Sequence, residues 1–167
     1  MNMDLGLTRQ IIAGFQEAAA LRNQIAYGLA TANWETNHTM EPVKEAYWLS
    51  ENWRKAHLRY YPAYGRGLVQ ITWAKNYQRM AAAIDEPELA TDYDLALRSD
   101  IAVKCLVAGM TKGLYTGRKL SDYIDLQHSD FVNSRKIING TDHAKDIAHI
   151  AREYDAELLK EGVGVEA

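Results

Sequence analysis

Apolar residues recur at the spacing of an amphipathic helix along most of the 167-residue chain, and this periodicity limits the possible folds more than any other feature. Breaks at Pro42, Pro87 and the Asn139-Gly140 pair separate the periodic segments. We predict longer helices over residues 7–20, 23–34, 73–84, 94–112 and 142–160, and shorter helices over 43–49, from Ser50, over 121–124 and over 130–138. The pattern predicts a mostly α-helical fold with at most one small β-hairpin.

The glycine-containing segment 65–72 interrupts this periodicity. Gln70 and Thr72 alternate with apolar residues, so we predict a short extended stretch that presents both side chains on one face. Thr72 is also a suitable N-cap for a helix that begins near Trp73. A tight turn whose polar residues only face water is the alternative interpretation. We expect this joint between a loop and a helix to carry part of a site.

Composition favours a single domain over residues 1–167, with a core over 7–160 and a mobile tail over 162–167, because no repeat or Pro/Gly/Ser-rich linker interrupts the chain. The formal net charge of −3 implies no general attraction to nucleic acid or to an anionic membrane. The single cysteine, Cys105, has apolar neighbours and is expected to be buried. No apolar run is long enough for a membrane span or resembles the core of a signal peptide, so we expect a chain made in the cytoplasm without stable membrane insertion.

Cofactor motifs are missing from the sequence. His143 and His149 are six residues apart, the wrong spacing for two ligands on one helix face, and the other three histidines are scattered. No phosphate-binding loop, dinucleotide fingerprint or serine nucleophile elbow occurs. We therefore expect no metal and no cofactor.

Two glutamates are candidates for acid/base chemistry. Hydrolysis of a glycosidic bond needs one protonated and one ionised carboxyl group, held roughly 6.5–9.5 Å apart in inverting enzymes. Glu35 and Glu45 are ten residues apart, which on a straight helix would be about 15 Å, so the chain must turn back near Pro42. Glu35 is expected at the buried C-terminal end of a helix, where burial and the helix dipole favour a protonated carboxyl. An exposed glutamate at a helix end is the alternative.

Three segments carry a resemblance to a known family. The string Gly65-Arg66-Gly67-Leu68-Val69-Gln70-Ile71-Thr72-Trp73-Ala74-Lys75-Asn76-Tyr77 resembles the GRGxxQITxxxNY motif of glycoside hydrolase family 19 chitinases and of related phage and prophage endolysins. Residues 32–36 resemble the segment that carries the family's catalytic acid, with Trp34 where the family usually has histidine. Ile137-Ile138-Asn139-Gly140 matches the family's IING segment.

The resemblance implies a lysozyme-like fold and a role for each matching residue. Glu35 is then the acid, and Glu45 is the base, with Glu41 and Glu51 as rivals for that position. Thr72 is the residue that holds the attacking water. The implied substrate-binding residues are Gln70, Asn76 and Asn139. Tyr77 either stacks on a sugar or packs in the core. Arg66 and Arg152 are each implied to orient a catalytic glutamate.

The implied function is that of an endolysin. Such a protein is an inverting muramidase that cleaves the β-1,4 bond between N-acetylmuramic acid and N-acetylglucosamine and lyses bacteria. The resemblance also implies a monomer without a separate wall-binding domain, made in a host bacterium, that binds peptidoglycan glycan strands and reaches the wall through a holin-type pore. Three alternatives are a chitinase, a lytic transglycosylase and an inactive glycan-binding protein of the same fold.

Overall fold

The computed structural model describes residues 1–164, and these residues form a mostly α-helical fold with one small β-hairpin, as predicted. The helices are α1 (Thr8–Glu17), α2 (Arg22–Glu35), α3 (Glu51–His57), α4 (Ala74–Ala83), α5 (Ser99–Lys112) and α6 (Ala144–Lys160). The antiparallel strands are β1 (Val43–Lys44) and β2 (Arg66–Gly67). Short 3₁₀ helices span Pro87–Ala90, Tyr93–Leu97, Leu120–Asp122 and Asn133–Ile137.

Helix α2 forms the centre of the main hydrophobic core. Its residues Ile25–Ala32 are all buried, and it packs most extensively against α6 and also against α1 and α5. Gly28 allows this close packing, because a Cβ atom there would lie 2.4 Å from the ring of Phe15 on α1. The buried helix therefore holds Glu35, its last residue, in a fixed position.

A second core cluster packs beside the first and joins α4 to α5. Tyr77 and Met80 from α4 contact this cluster together with Ile101 and Cys105 from α5, while Leu106 of α5 belongs to the first cluster. Cys105 is 3% exposed, which confirms the predicted burial, and burial raises the pKa of its thiol to about 12. Helix α5 thus links the two halves of the core.

The structure corrects the sequence-based prediction on both sides of the hairpin. Residues 43–49 are not a helix, because Val43 pairs with Gly67 and the Glu45 N–H donates to the Gly65 carbonyl oxygen at 2.7 Å. Residues 68–72 form a tight loop rather than an extended stretch, and Trp73 occupies the N-cap position of α4 with a φ of 77°. Thr72 is therefore not the cap that the sequence predicted.

The later helices begin or end at different residues from those predicted. Segment 94–97 belongs to a 3₁₀ helix, and α5 begins only at Ser99. Segments 121–124 and 130–138 reduce to 3₁₀ helices over Leu120–Asp122 and Asn133–Ile137.

The chain packs back onto the core after α6. Gly162 has a φ of 79°, and the Val163 N–H donates to the Leu158 carbonyl oxygen at 3.0 Å, the pattern of a helix-terminating Schellman motif. Val163 then packs against the main core. Residues 162–164 therefore lie against the folded domain, the mobility of the tail stays a prediction, and residues 165–167 lie outside the described part of the chain.

Candidate functional site

A cleft opens where the end of α2, the loop after β2 and the segment before α6 meet. Its volume is about 380 Å³, and we call it the Glu35 cleft. The residues that line it are Trp34, Glu35, Val69, Gln70, Arg135, Ile138, Asn139, Asp142 and His143. The structure therefore brings together Glu35, Gln70 and Asn139, three of the candidate residues from separate parts of the sequence.

A smaller hollow of about 140 Å³ adjoins this cleft, and we call it the Thr72 hollow. Gln70 and Ile138 line both spaces, and the hollow adds Thr72, Trp73 and Asn76. The Asn76 side-chain N–H donates to the Thr72 carbonyl oxygen at 2.8 Å. The Thr72 hydroxyl makes no hydrogen bond to another residue of the described chain 1–164, so it is free to bind water or substrate.

The Glu35 carboxylate is held by a buried arginine. Arg135 Nη1 donates to Glu35 Oε1 at 2.9 Å, and Arg135 Nε donates to the Asp142 carbonyl oxygen at 2.8 Å. The Arg135 side chain is 4% exposed and that of Glu35 is 20% exposed. This ion pair fixes the direction of the carboxylate. Sequence reasoning missed Arg135, although it lies only two residues before the Ile137–Gly140 motif.

Glu45 is oriented from the opposite side of the β-hairpin. Its Oε1 accepts a hydrogen bond from the Gly65 N–H at 3.1 Å, and its Oε2 accepts one from the Tyr60 hydroxyl at 2.5 Å. Burial, together with the hydrogen bond and charge of Glu45, raises the pKa of Tyr60 to about 12. The Tyr60 hydroxyl consequently remains a donor at neutral pH.

Gly65 brings Glu45 and Gln70 close together. A Cβ atom on Gly65 would lie 3.1 Å from Glu45 Oε1 and 2.5 Å from Gln70 Oε1. The Gln70 side-chain N–H donates to the Val43 carbonyl oxygen at 3.1 Å, which fixes the amide against β1. Gln70 thus borders Glu45 and also lines the cleft that contains Glu35.

The two rival glutamates have different surroundings. Glu51 accepts hydrogen bonds from the Tyr64 hydroxyl at 2.9 Å and from Arg54 Nε at 3.1 Å. Burial would raise the pKa of Glu51, but hydrogen bonds from Tyr61, Tyr64 and Arg54 outweigh it and lower the pKa. Glu41 is exposed. Glu45 is the one of the three that lies beside Gln70.

Arg66 does not orient a glutamate, so that prediction was wrong. Its Nε donates to Asp94 at 2.7 Å, its Nη1 donates to the Tyr64 carbonyl oxygen at 2.9 Å, and its guanidinium lies 3.6 Å from the centre of the Tyr64 ring. Tyr77 is fully buried, and its hydroxyl donates to the Tyr64 carbonyl oxygen. Of its two predicted roles, Tyr77 therefore packs in the core and does not stack on a sugar. Both residues therefore stabilise the loop that carries Gly65.

Arg152 lies on the exposed side of α6 and lines neither the Glu35 cleft nor the Thr72 hollow. Within residues 1–164 it makes no ion pair with a glutamate, so the orienting role expected of it is filled by Arg135 instead. Helical geometry explains the error, because Arg152 is nine residues beyond His143 and hence about 13 Å further along the helix axis.

Trp34 packs at the edge of the cleft against two histidines. Its ring centre lies 4.8 Å from that of His143 and 5.9 Å from that of His38. No local pattern could indicate the contact between Trp34 and His143, since the two residues are more than one hundred positions apart. The side chain at this position thus forms a wall of the cleft.

A larger hollow of about 670 Å³ lies elsewhere, between α1 and α5. It is lined by residues such as Gly14, Val103 and Val107 and contains none of the candidate site residues. Its accessible lining is mainly apolar, whereas that of the Glu35 cleft is mainly polar, so we do not assign the chemistry to it.

The described part of the chain shows neither a cluster of metal ligands nor a helix that could span a membrane. Within residues 1–164, no group of three or more His, Cys, Asp or Glu side chains is arranged to hold a metal ion. None of the helices in this part of the chain has both the length and the apolar character needed to cross a bilayer.

The chain matches no protein-family model, no curated protein and no solved structure.

Proposed function

We propose that this chain is a muramidase that hydrolyses the β-1,4 bond between N-acetylmuramic acid and N-acetylglucosamine in peptidoglycan. One observation carries the proposal: Gln70 lines the cleft that contains Glu35, and its side chain also lies next to Glu45 across Gly65, so it links two separately oriented carboxylates. Paired carboxyl groups across a polar cleft are the arrangement that glycoside hydrolysis requires. The resemblance of residues 65–77 to family 19 enzymes supports the same chemistry.

The proposed mechanism is inverting. Glu35 donates a proton to the leaving glycosidic oxygen, while Arg135 keeps its carboxyl group in position. Glu45 removes a proton from the attacking water, and its hydrogen bonds to Tyr60 and Gly65 prevent the carboxylate from rotating away. The free hydroxyl of Thr72 holds that water, because a hydroxyl can donate and accept at once.

Amide side chains account for substrate binding in this proposal. Gln70, Asn76 and Asn139 border the two connected spaces. The Gln70 amide N–H groups donate to the Val43 and Gly67 carbonyl oxygens, so Gln70 offers its amide oxygen as an acceptor. Asn76 and Asn139 offer both a donor and an acceptor to an N-acetyl group. The partner is then a peptidoglycan glycan strand. In this account the protein is made in the bacterial cytoplasm, reaches the wall through a holin-type pore and causes lysis.

A glycan-binding protein without catalytic activity is the second candidate. The residue that favours it is Trp34, which stands where family 19 enzymes usually have histidine next to the catalytic acid and which packs against His143 at the edge of the cleft. Binding of wall fragments without cleavage would support this candidate.

Product analysis tests the proposal. Purified peptidoglycan is incubated with the wild-type protein, and the released fragments are reduced with borohydride and identified by mass spectrometry. A hydrolytic muramidase yields reduced N-acetylmuramic acid ends. Anhydro ends would indicate a lytic transglycosylase, and reduced N-acetylglucosamine ends or activity on chitin alone would indicate a chitinase. Binding without any new ends would favour the glycan-binding protein.

A further inference from the structure

Two large aromatic side chains lie side by side on the surface directly after Glu45. Tyr47 is 55% exposed and Trp48 is 71% exposed, and their rings meet edge to face with centres 5.2 Å apart. Single exposed apolar residues are common on protein surfaces, whereas adjacent exposed aromatic rings are typical of binding surfaces. We call this pair the aromatic step.

The aromatic step is built on a rigid turn. The Leu49 N–H donates to the Ala46 carbonyl oxygen at 2.9 Å, which closes a turn with Tyr47 and Trp48 at its centre. Arg54 Nη1 donates to the carbonyl oxygens of both Ala46 and Leu49, at 2.8 and 3.0 Å. The Arg54 side chain is only 8% exposed. A buried guanidinium therefore clamps both ends of a turn whose two central side chains face the solvent.

The aromatic step also lies close to the proposed chemistry. Three peptide units of about 3.8 Å each separate Glu45 from Trp48, so their Cα atoms are at most about 11 Å apart. On the other side of Glu45, Tyr60 binds the carboxylate and packs against Trp73, with ring centres 5.0 Å apart. Trp73 is 42% exposed and lines the Thr72 hollow. Exposed aromatic side chains thus lie near Glu45 both in the turn that follows it and beside Tyr60, which binds its carboxylate.

We propose that the aromatic step is a stacking subsite for a pyranose ring of the glycan strand, beyond the sugars at the cleaved bond. The C–H groups on one face of a pyranose carry partial positive charge and match the negative face of an aromatic ring. A site made of two neutral rings favours the sugar backbone of the strand over its charged stem peptides. This inference rests on the proposed function, because it assumes that the Glu35 cleft holds a glycan.

The test compares Trp48→Ala with a matched control, Leu126→Ala. Leu126 is also an exposed apolar residue on a turn, at 85% exposure, and it lies near Asn23 at the opposite end of α2 from Glu35. Two measurements are made on the full chain: KM and kcat for long peptide-free glycan strands and for short oligomers of alternating N-acetylglucosamine and N-acetylmuramic acid, and co-sedimentation with insoluble peptidoglycan. Sedimentation needs no catalysis, so it tests the subsite even if the wild type cleaves nothing.

We expect Trp48→Ala to raise KM for long strands and to weaken sedimentation about five- to tenfold, the range expected for an aromatic contact. The kcat value and the kinetics with short oligomers stay unchanged, Trp48→Phe restores binding, and Leu126→Ala behaves as the wild type. Equal binding by Trp48→Ala and wild type, or an equal loss with short and long glycans, would overturn the proposal. It would also be overturned if Trp48→Ala lost binding only to phosphatidylglycerol vesicles, because the step would then contact lipid. If the wild type cleaves no peptidoglycan but sediments with it more strongly than Trp48→Ala, only the proposed hydrolysis is rejected and the stacking subsite is retained.

Discussion

Removing the Arg135 guanidinium should destabilise the protein far more than removing an exposed arginine. In Arg135→Leu, the Glu35 carboxylate loses its partner while it is still only 20% exposed, and the Asp142 carbonyl oxygen loses a donor. Breaking a buried ion pair costs about 3–5 kcal/mol, and the partial exposure of Glu35 places this case at the lower end, about 3 kcal/mol. For a chain of this size such a loss lowers Tm by about 6–12 °C.

Urea unfolding followed by circular dichroism measures this effect, with the midpoint compared at constant m value. The matched control is Arg98→Leu, since Arg98 also contacts a carboxylate, Asp100, but both side chains are more than half exposed. We expect the control to unfold at the wild-type midpoint within error. A double-mutant cycle with Glu35→Gln should give a coupling energy of about 2 kcal/mol. Arg135→Leu with the stability of the Arg98→Leu control, or a coupling energy near zero, would refute the assignment of this pair as the structural support of Glu35.

Three further predictions follow from individual contacts. Tyr60→Phe removes the hydroxyl that orients Glu45, so kcat for reducing-end release should fall about tenfold with the unfolding midpoint little changed; an unchanged kcat would argue against that orienting role. Gly28→Ala forces a Cβ atom to within 2.4 Å of the Phe15 ring and should lower the free energy of unfolding by about 1–3 kcal/mol in urea titrations, whereas wild-type stability would show that the α1–α2 contact adjusts freely. Hydrogen bonds lower the pKa of Glu51, so the stability that its ionised carboxylate contributes is present above the usual carboxyl range of pH and is lost as the pH falls. The free energy of unfolding of Glu51→Gln should therefore fall less than that of the wild type on acidification to pH ~3. An equal fall in both proteins would contradict this.

Features encoded in local sequence were predicted best. The helices around Phe15 and Ile147 follow the apolar periodicity, because each buries one stripe of side chains in the main core. The helix around Ile25 was also predicted, although Ile25–Ala32 are buried on every side of it. Glu35 at the end of α2 follows from the same periodicity together with the polar run after it. The joint at Gln70 and Thr72 was located correctly, although its conformation was not, since burial of Leu68, Val69 and Ile71 favours a tight loop over an extended strand.

Three of the errors involve pairing between distant residues. Residues 43–49 have a helical pattern, but the pairing of Val43 with Gly67 and the left-handed conformation of Ala46, with a φ of 52°, replace the helix. Glu35 and Arg135 are one hundred residues apart, so no local pattern could reveal their contact. Arg66 was assigned to a glutamate because its sequence neighbours suggested a site, whereas the fold places Asp94 within 2.7 Å of it.

The proposed roles of Glu35 and Glu45 as an acid/base pair are tested by the rate of reducing-end release from purified peptidoglycan. The rate is measured for wild type, Glu35→Gln and Glu45→Gln, with Glu41→Gln as a control on an exposed glutamate of the same segment. We expect the rate to fall about 10²–10⁴-fold in Glu35→Gln and in Glu45→Gln, each with the circular dichroism spectrum of a folded protein, and to stay at the wild-type value in Glu41→Gln. A folded Glu35→Gln or Glu45→Gln variant that releases reducing ends at the wild-type rate would contradict the proposed roles.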